Sequence, residues 1–153
     1  MIPKVIHYCW FGHNPMPKML QKCMKSWSKY CTGYKVIEWN EDNVDLSLMP
    51  RYVQDAYDAK KWAFVSDYAR FWILYQYGGL YFDTDVEVIR PMDDIIQRGP
   101  FMGCEKPYKE GATPKDLGVA PGLGLFREIL DEYERLGFYK ADGELNLTTI
   151  VEY

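Results

Sequence analysis

Asp83 and Asp85, separated only by Thr84, are the residues in this chain with the plainest capacity for chemistry. In an extended segment side chains alternate, so the two carboxylates would project to the same side, about 7 Å apart. Like charges at that distance repel unless something positive lies between or above them. A hard divalent cation such as Mg²⁺ or Mn²⁺ fits that place through oxygen ligands. The triplet alone is weak evidence: with twelve Asp in the sequence, chance supplies about one D-x-D. A second charged pair, Asp67 and Arg70, interrupts an otherwise apolar run just upstream. Three residues apart on a helix, the two side chains lie close enough to touch. A charge in such surroundings must be paired, hydrogen-bonded or aimed at a ligand, since desolvating it alone costs several kcal/mol or more. A purely structural Asp–Arg pair near the helix start, with Ser66 or Asp67 as N-cap, satisfies the same pattern.

The elements that must position these residues can be read from the same stretch. Residues 62–77, WAFVSDYARFWILYQY, contain neither Pro nor Gly and are apolar around most of their circumference. That predicts a helix buried on several sides. Gly78-Gly79 ends it, because Gly accepts a left-handed C-cap without a Cβ penalty. Leu80-Tyr81-Phe82 then enters a sheet and delivers Asp83. A helix carrying Asp/Arg, a double-glycine turn, an aromatic strand and D-x-D form a far rarer conjunction than the triplet by itself.

The run SDYARFWILYQYGGLYFDTDVEV resembles the DxD sugar-binding region of glycosyltransferase family 32 and is similar to the catalytic domain of the large clostridial glucosylating toxins. IPKVIHYCWFG at the amino end and KSWSKYCTGYKVIEWNEDN later fit the same pattern. The resemblance covers most of residues 2–107. It implies a GT-A-type, Rossmann-like α/β sheet that binds a nucleoside-diphosphate sugar, a UDP- or GDP-sugar, and passes a hexose to a glycan or lipid-linked acceptor with retention. It implies that Asp85 holds Mn²⁺ or Mg²⁺, with Asp83 on the metal or on the donor's ribose and sugar. Asp67 would accept hydrogen bonds from sugar hydroxyls, Arg70 would contact sugar or phosphates, Tyr81 would line the pocket, and Trp10 would hold the base. No covalent nucleophile stands out; Glu105 is a weak candidate for a supporting carboxylate.

The rest of the chain supports a single α/β domain over residues 1–153. At 48% apolar content, a chain of this length can bury a real core. A formal net charge of −4 argues against nucleic acid as a partner. Neither a secretory h-region nor a membrane span is evident, which points to the cytosol. Cys9, Cys23, Cys31 and Cys104 lack zinc-site spacing and are few for a disulfide scaffold, so reduced thiols are expected. Residues 4–9 read as a first strand running into Trp10-Phe11-Gly12, and residues 34–39 as a second. Ligands of open α/β sheets bind beyond the carboxyl ends of strands, where an aromatic such as Trp10 can stack on a base or simply close the rim. His7 reads as a hydrogen-bonded core histidine and His13 as a loop residue.

Residues 17–31 predict an amphipathic helix, with Leu20, Cys23, Met24, Trp27 and Cys31 on one face and Lys18, Lys22, Lys25 and Lys29 opposite. The lysines are either a solvated face or a weak attraction to anionic membrane, which would place the protein peripherally at an inner membrane face. A short helix is expected over residues 50–60, continued extended chain over 86–89, a helical turn at Asp93-Asp94 and a strand over 101–105. Residues 106–124, rich in Gly, Pro and charge, read as a long loop of the kind that forms lids or is disordered. A last helix stops at Gly137, and Asp142-Gly143 makes a turn. The family usually continues beyond the matching TTIVEY stretch, so the chain reads as short at its carboxyl end, with acceptor binding incomplete.

Two competing readings follow from the same residues. A haloacid-dehalogenase-like phosphatase also places D-x-D at a strand end, but expects Thr or Val where Glu87 stands, and an acidic pair farther away than Asp93-Asp94. A non-catalytic nucleotide-sugar or glycan-binding module would suit the 16% aromatic content, which equally suits a core.

Overall fold

In the computed structural model, residues 1–103 and 115–146 are described. The elements run β1 (Val5–Cys9), α1 (Lys18–Tyr30), β2 (Lys35–Trp39), α2 (Arg51–Asp58), α3 (Trp62–Tyr77), β3 (Gly79–Phe82), α4 (Asp93–Ile96), β4 (Phe101–Met102), β5 (Asp116–Val119) and α5 (Gly124–Arg135). The five strands form one mixed sheet in the order β2-β1-β3-β5-β4. β1 runs parallel to both β2 and β3, whereas β5 is antiparallel to β3 and to β4. This is an α/β sheet flanked by helices, as the resemblance implied, with β5 and β4 adding an antiparallel side.

The side-chain alternation of β1 and β3 sorts the core into two layers. Ile6, Tyr8, Leu80 and Phe82 meet Trp27 of α1 on one face. Cys9 and Tyr81 face the other layer, with Phe71 and Leu74 of α3 and Phe126 and Tyr133 of α5. All four residues of β3 are buried, as expected of a central strand covered on both faces. α3 takes the predicted bounds, and it buries Val65, Tyr68, Ala69, Arg70, Phe71, Ile73 and Leu74. Its N-cap is Lys61, more than a turn ahead of Ser66 and Asp67, so neither of those side chains caps the helix.

The double glycine is a close-packed crossing as well as a helix stop. Gly78 and Gly79 both have positive φ, 65° and 106°. A Cβ on Gly79 would lie 2.7 Å from the Val5 carbonyl oxygen of β1. The Gly78 carbonyl accepts from His7 Nε2 at 2.9 Å, while the Trp39 indole N–H donates to His7 Nδ1 at 3.0 Å. His7 is therefore held neutral, one nitrogen donating and the other accepting, as a core histidine joining β1, β2 and the α3–β3 turn.

Three expectations are corrected. Residues 86–89 are not a strand: the chain turns after β3, with Val86 N–H donating to the Asp83 carbonyl at 3.0 Å. Asp is favoured at the first position of such a turn, so D-T-D forms a corner instead of extended chain. Within 106–124, expected as a structureless loop, residues 116–119 form β5 and complete the sheet beside β3. The strand expected over 101–105 reaches only Met102 among the described residues, and Cys104 and Glu105 lie outside them. Cys9, Cys23 and Cys31 are free thiols. Among the described residues no helix is long and apolar enough to cross a membrane.

Gly79→Ala should lower unfolding stability by roughly 2–3 kcal/mol in urea titration, because it adds backbone strain to a contact with β1. Burial holds the His7 pKa below 6.5, partly offset by its bond to Gly78. The unfolded chain therefore binds a proton that the folded chain refuses. The stabilisation is present above about pH 6.5 and is lost as pH falls through the lower folded value. Across pH 7 to 5, wild type should lose stability relative to His7→Gln; parallel curves would exclude this role.

Candidate functional site

The site is assembled at the carboxyl ends of β1 and β3, where ligands of α/β sheets bind. A cavity of about 610 Å³ opens there, lined by Trp10, Asp67, Arg70, Tyr81, Asp83 and Asp85 among others. All six residues singled out from the sequence thus share one wall-to-wall space. Its volume lies within the range of small-molecule sites.

Arg70 is its organising group. Its side chain is 3% exposed, and its Nη2 lies 2.8 Å from Asp67 Oδ1 and 3.2 Å from Asp83 Oδ1. Its Nε donates to the Ser66 carbonyl at 3.2 Å, and its guanidinium sits over the Tyr81 ring, 5.1 Å from the centroid. The helical pair read from the sequence therefore forms, and it also reaches the D-x-D carboxylate on β3. Tyr81 O–H donates to the same Asp83 oxygen at 3.2 Å. Burial pushes Asp83 above the ordinary carboxylate range, while Arg70 pulls in the opposite direction. Beneath them, burial pushes the Cys9 thiol up to about 12, so it stays protonated and unreactive at neutral pH.

Asp85 is more open. Its side chain is 43% exposed and its Oδ2 lies 2.9 Å from Lys115 Nζ. Lys115 was missed by sequence reasoning, because it stands in the stretch expected to be a loop. The nearest sequence signal is the short apolar Leu117-Gly118-Val119 that follows it, too brief to announce a strand by periodicity. Ser66, Thr84 and Asn14 also bring polar groups to the cavity.

Trp10 stands just past β1, its indole N–H donating to the Asn14 carbonyl at 2.7 Å. That bond turns one edge of the ring to the backbone and leaves it in the cavity wall. The following Gly12 has φ 93°, and a Cβ there would come within 2.5 Å of the Trp62 ring. Trp62 at the start of α3 thus packs directly on the backbone of the β1 loop, and both segments line the cavity. Gly12 N–H also donates to the Glu41 carboxylate, and His13 is an exposed loop residue 3.7 Å from the same group.

The donor set suits a hard cation. Asp83 and Asp85 offer carboxylate oxygens to one cavity, and Asp85 is ion-paired there with the part-exposed Lys115. No cluster of three or more His, Cys, Asp or Glu side chains is placed to hold a metal among the described residues. A Mg²⁺-like ion does not require one, since it is usually bound by one or two carboxylates together with water and substrate phosphates.

A family model of the glycosyltransferase sugar-binding region containing a DXD motif matches residues 17–102. The chain is 26% identical over 140 residues to inositol phosphoceramide mannosyltransferase 3 of Schizosaccharomyces pombe, covering 90% of this chain and 38% of that protein. It is 32% identical over 112 residues to an uncharacterized glycosyltransferase of Acanthamoeba polyphaga mimivirus, covering 69% of this chain and 44% of that protein. The chain thus spans less than half the length of these curated relatives. Among solved structures it matches the PaToxG glycosyltransferase with a TM-score of 0.63 at 18% identity, covering 88% of this chain and 61% of that one, which establishes a shared fold. The match extends over more than half of the sequence and includes both the Asp67/Arg70 helix and the D-x-D corner, and on that ground the chain belongs to the family of glycosyltransferase sugar-binding regions containing a DXD motif.

Proposed function

We propose that this chain transfers a hexose from a nucleoside-diphosphate sugar, a UDP- or GDP-sugar, to a glycan or lipid-linked acceptor, with retention of configuration. The observation that carries the reading is the convergence of Trp10, Asp67, Arg70, Tyr81, Asp83 and Asp85 on a single cavity. The names of the relatives, which include an inositol phosphoceramide mannosyltransferase, favour mannose as the hexose and a lipid-linked acceptor.

Each residue has a task that its environment suits. Asp85, with Asp83 beside it, would hold Mg²⁺ or Mn²⁺, which when bound supplies positive charge to the departing diphosphate. Arg70 is a permanent cation already desolvated and oriented, so it adds charge stabilisation to phosphate or sugar oxygens without reorganising. Asp67, held by Arg70, keeps acceptor capacity for donor-sugar hydroxyls. Tyr81 closes the floor beneath the sugar, and Trp10 presents an aromatic ring for the base.

The test is a thermal-shift panel of UDP- and GDP-sugars with and without Mn²⁺. A correct donor at a hundredfold excess over its Kd should raise Tm by roughly 5–10 °C. The shift should require both components and vanish in Asp85→Asn. A shift indifferent to metal would contradict the scheme, and donor binding without hydrolysis or transfer at high protein would select a binding module instead.

A lipid-linked acceptor also gives a use to α1, whose Lys18, Lys22, Lys25 and Lys29 are all exposed. We extend the proposal to a cytosolic protein attracted peripherally to anionic membrane through this face. Vesicles containing anionic lipid should retain wild-type protein at low salt, and the four Lys→Gln changes together should abolish retention. Binding insensitive to salt and to those changes would dispose of this part.

A further inference from the structure

We infer that Trp27 and Ser26 of α1 are positioning residues for Asp85, holding the chain just beyond the D-x-D corner so that the Asp85 carboxylate meets the cavity. The inference rests on the reading of Asp85 as a metal ligand given above.

The corner is gripped on both sides. At its start Asp83 N–H donates to the Lys115 carbonyl at 2.8 Å, and Val86 N–H closes the turn onto the Asp83 carbonyl at 3.0 Å. At its end α1 takes hold. The Trp27 indole N–H donates to the Val86 carbonyl at 2.8 Å, and the Ser26 hydroxyl oxygen accepts from Val88 N–H at 2.8 Å. Asp85 directly precedes Val86, so its Cα lies one peptide, about 3.8 Å, from the Cα of the first anchored residue.

Both anchors are themselves fixed. Trp27 is 1% exposed, and its ring packs edge-on against Tyr8 and Phe82, with centroids 5.7 and 5.4 Å away. It therefore touches the chain before D-x-D through Phe82 and after it through Val86. Ser26 spends its own hydroxyl proton on the Cys23 carbonyl one turn back, which leaves the oxygen to accept from Val88. Packing alone would be met by any aromatic ring of suitable size. An indole buried this deeply must also place its N–H on an acceptor, and here the acceptor is the carbonyl next to the proposed ligand. A Mg²⁺-like ion tolerates little error in ligand placement. Loss of an outer group that orients a ligand typically weakens metal binding by roughly tenfold or more.

Isothermal titration with Mn²⁺, and with UDP or GDP in the presence of Mn²⁺, would test this on wild type, Trp27→Phe, Ser26→Ala, Ser26→Thr and Asp85→Asn. Val53→Ala, a buried site in the other core layer, controls for lost stability, with Tm measured for each protein. Trp27→Phe should bind Mn²⁺ roughly tenfold more weakly and Ser26→Ala about threefold more weakly, while Ser26→Thr restores wild-type affinity. Nucleotide binding by Trp27→Phe should recover as Mn²⁺ is raised, because excess ion fills the weakened site by mass action. Wild-type Mn²⁺ affinity in folded Trp27→Phe and Ser26→Ala would overturn the inference. An equal loss in Val53→Ala, or nucleotide binding that excess Mn²⁺ does not recover, would reduce both residues to structural support and overturn it as well. Should Trp27→Phe not fold, Ser26→Ala and its rescue by Thr decide the question. If wild type does not bind Mn²⁺, or Asp85→Asn binds it equally well, the metal reading itself fails and this inference falls with it.

Discussion

A buried guanidinium is stable only when its charge is met, and Arg70 is met from two directions, by Asp67 on its own helix and Asp83 at the end of β3. Removing either carboxylate would leave a desolvated cation less well compensated, a far larger penalty than a surface pair carries. The interaction therefore ties the approach of α3 to the exit of β3. Every other part of the site is arranged around that tie. The double glycine lets helix and strand reverse within two residues, close enough for the third turn of α3 to reach the strand end. Tyr81 fills the space under the guanidinium and spends its hydroxyl on Asp83, while the buried Cys9 thiol, pushed up to about 12, stays neutral and adds no charge to the balance.

Sheet topology explains why the chemistry collects at one edge. β1 and β3 are parallel neighbours, so the chain leaves both at the same rim and Trp10 comes to face the D-x-D corner. β5 runs the other way, so its first residue meets the end of β3. That reversal sets Lys115 against Asp85 although thirty residues separate them in the chain. The two halves of the sheet thus contribute unlike charges to one cavity: carboxylates from the parallel strand and an ammonium from the antiparallel one. Asp83 is part-buried and tied through Oδ1 to Arg70 and Tyr81, whereas Asp85 is 43% exposed.

Much of this was legible in residue order because it rests on local rules. The apolar run of residues 62–77 has one outcome compatible with its breadth of hydrophobic surface, and α3 takes those bounds. Asp67 and Arg70 touch because three residues is less than one helical turn. His7 reads correctly as a core group, since an imidazole within a strand of buried apolar residues must find partners on both nitrogens. The D-x-D conformation was less legible. An extended strand and a tight corner both follow an aromatic triplet, and the choice depends on whether a neighbouring strand continues to offer hydrogen bonds. Among the described residues the last such bond runs from Asp83 N–H to the Lys115 carbonyl.

What the sequence determined alone is the set of groups capable of the chemistry, together with the helix, turn and strand that carry most of them, because each depends on neighbours a few residues away. Tertiary structure decided which of those groups share a space. β5 exists as a strand because β3 offers it an edge, its own four residues being too few to specify extended chain. With β5 comes Lys115, whose relation to Asp85 no spacing in the sequence expresses. Contacts of that kind depend on the order and direction of strands in a sheet, and these are settled only when the whole core packs.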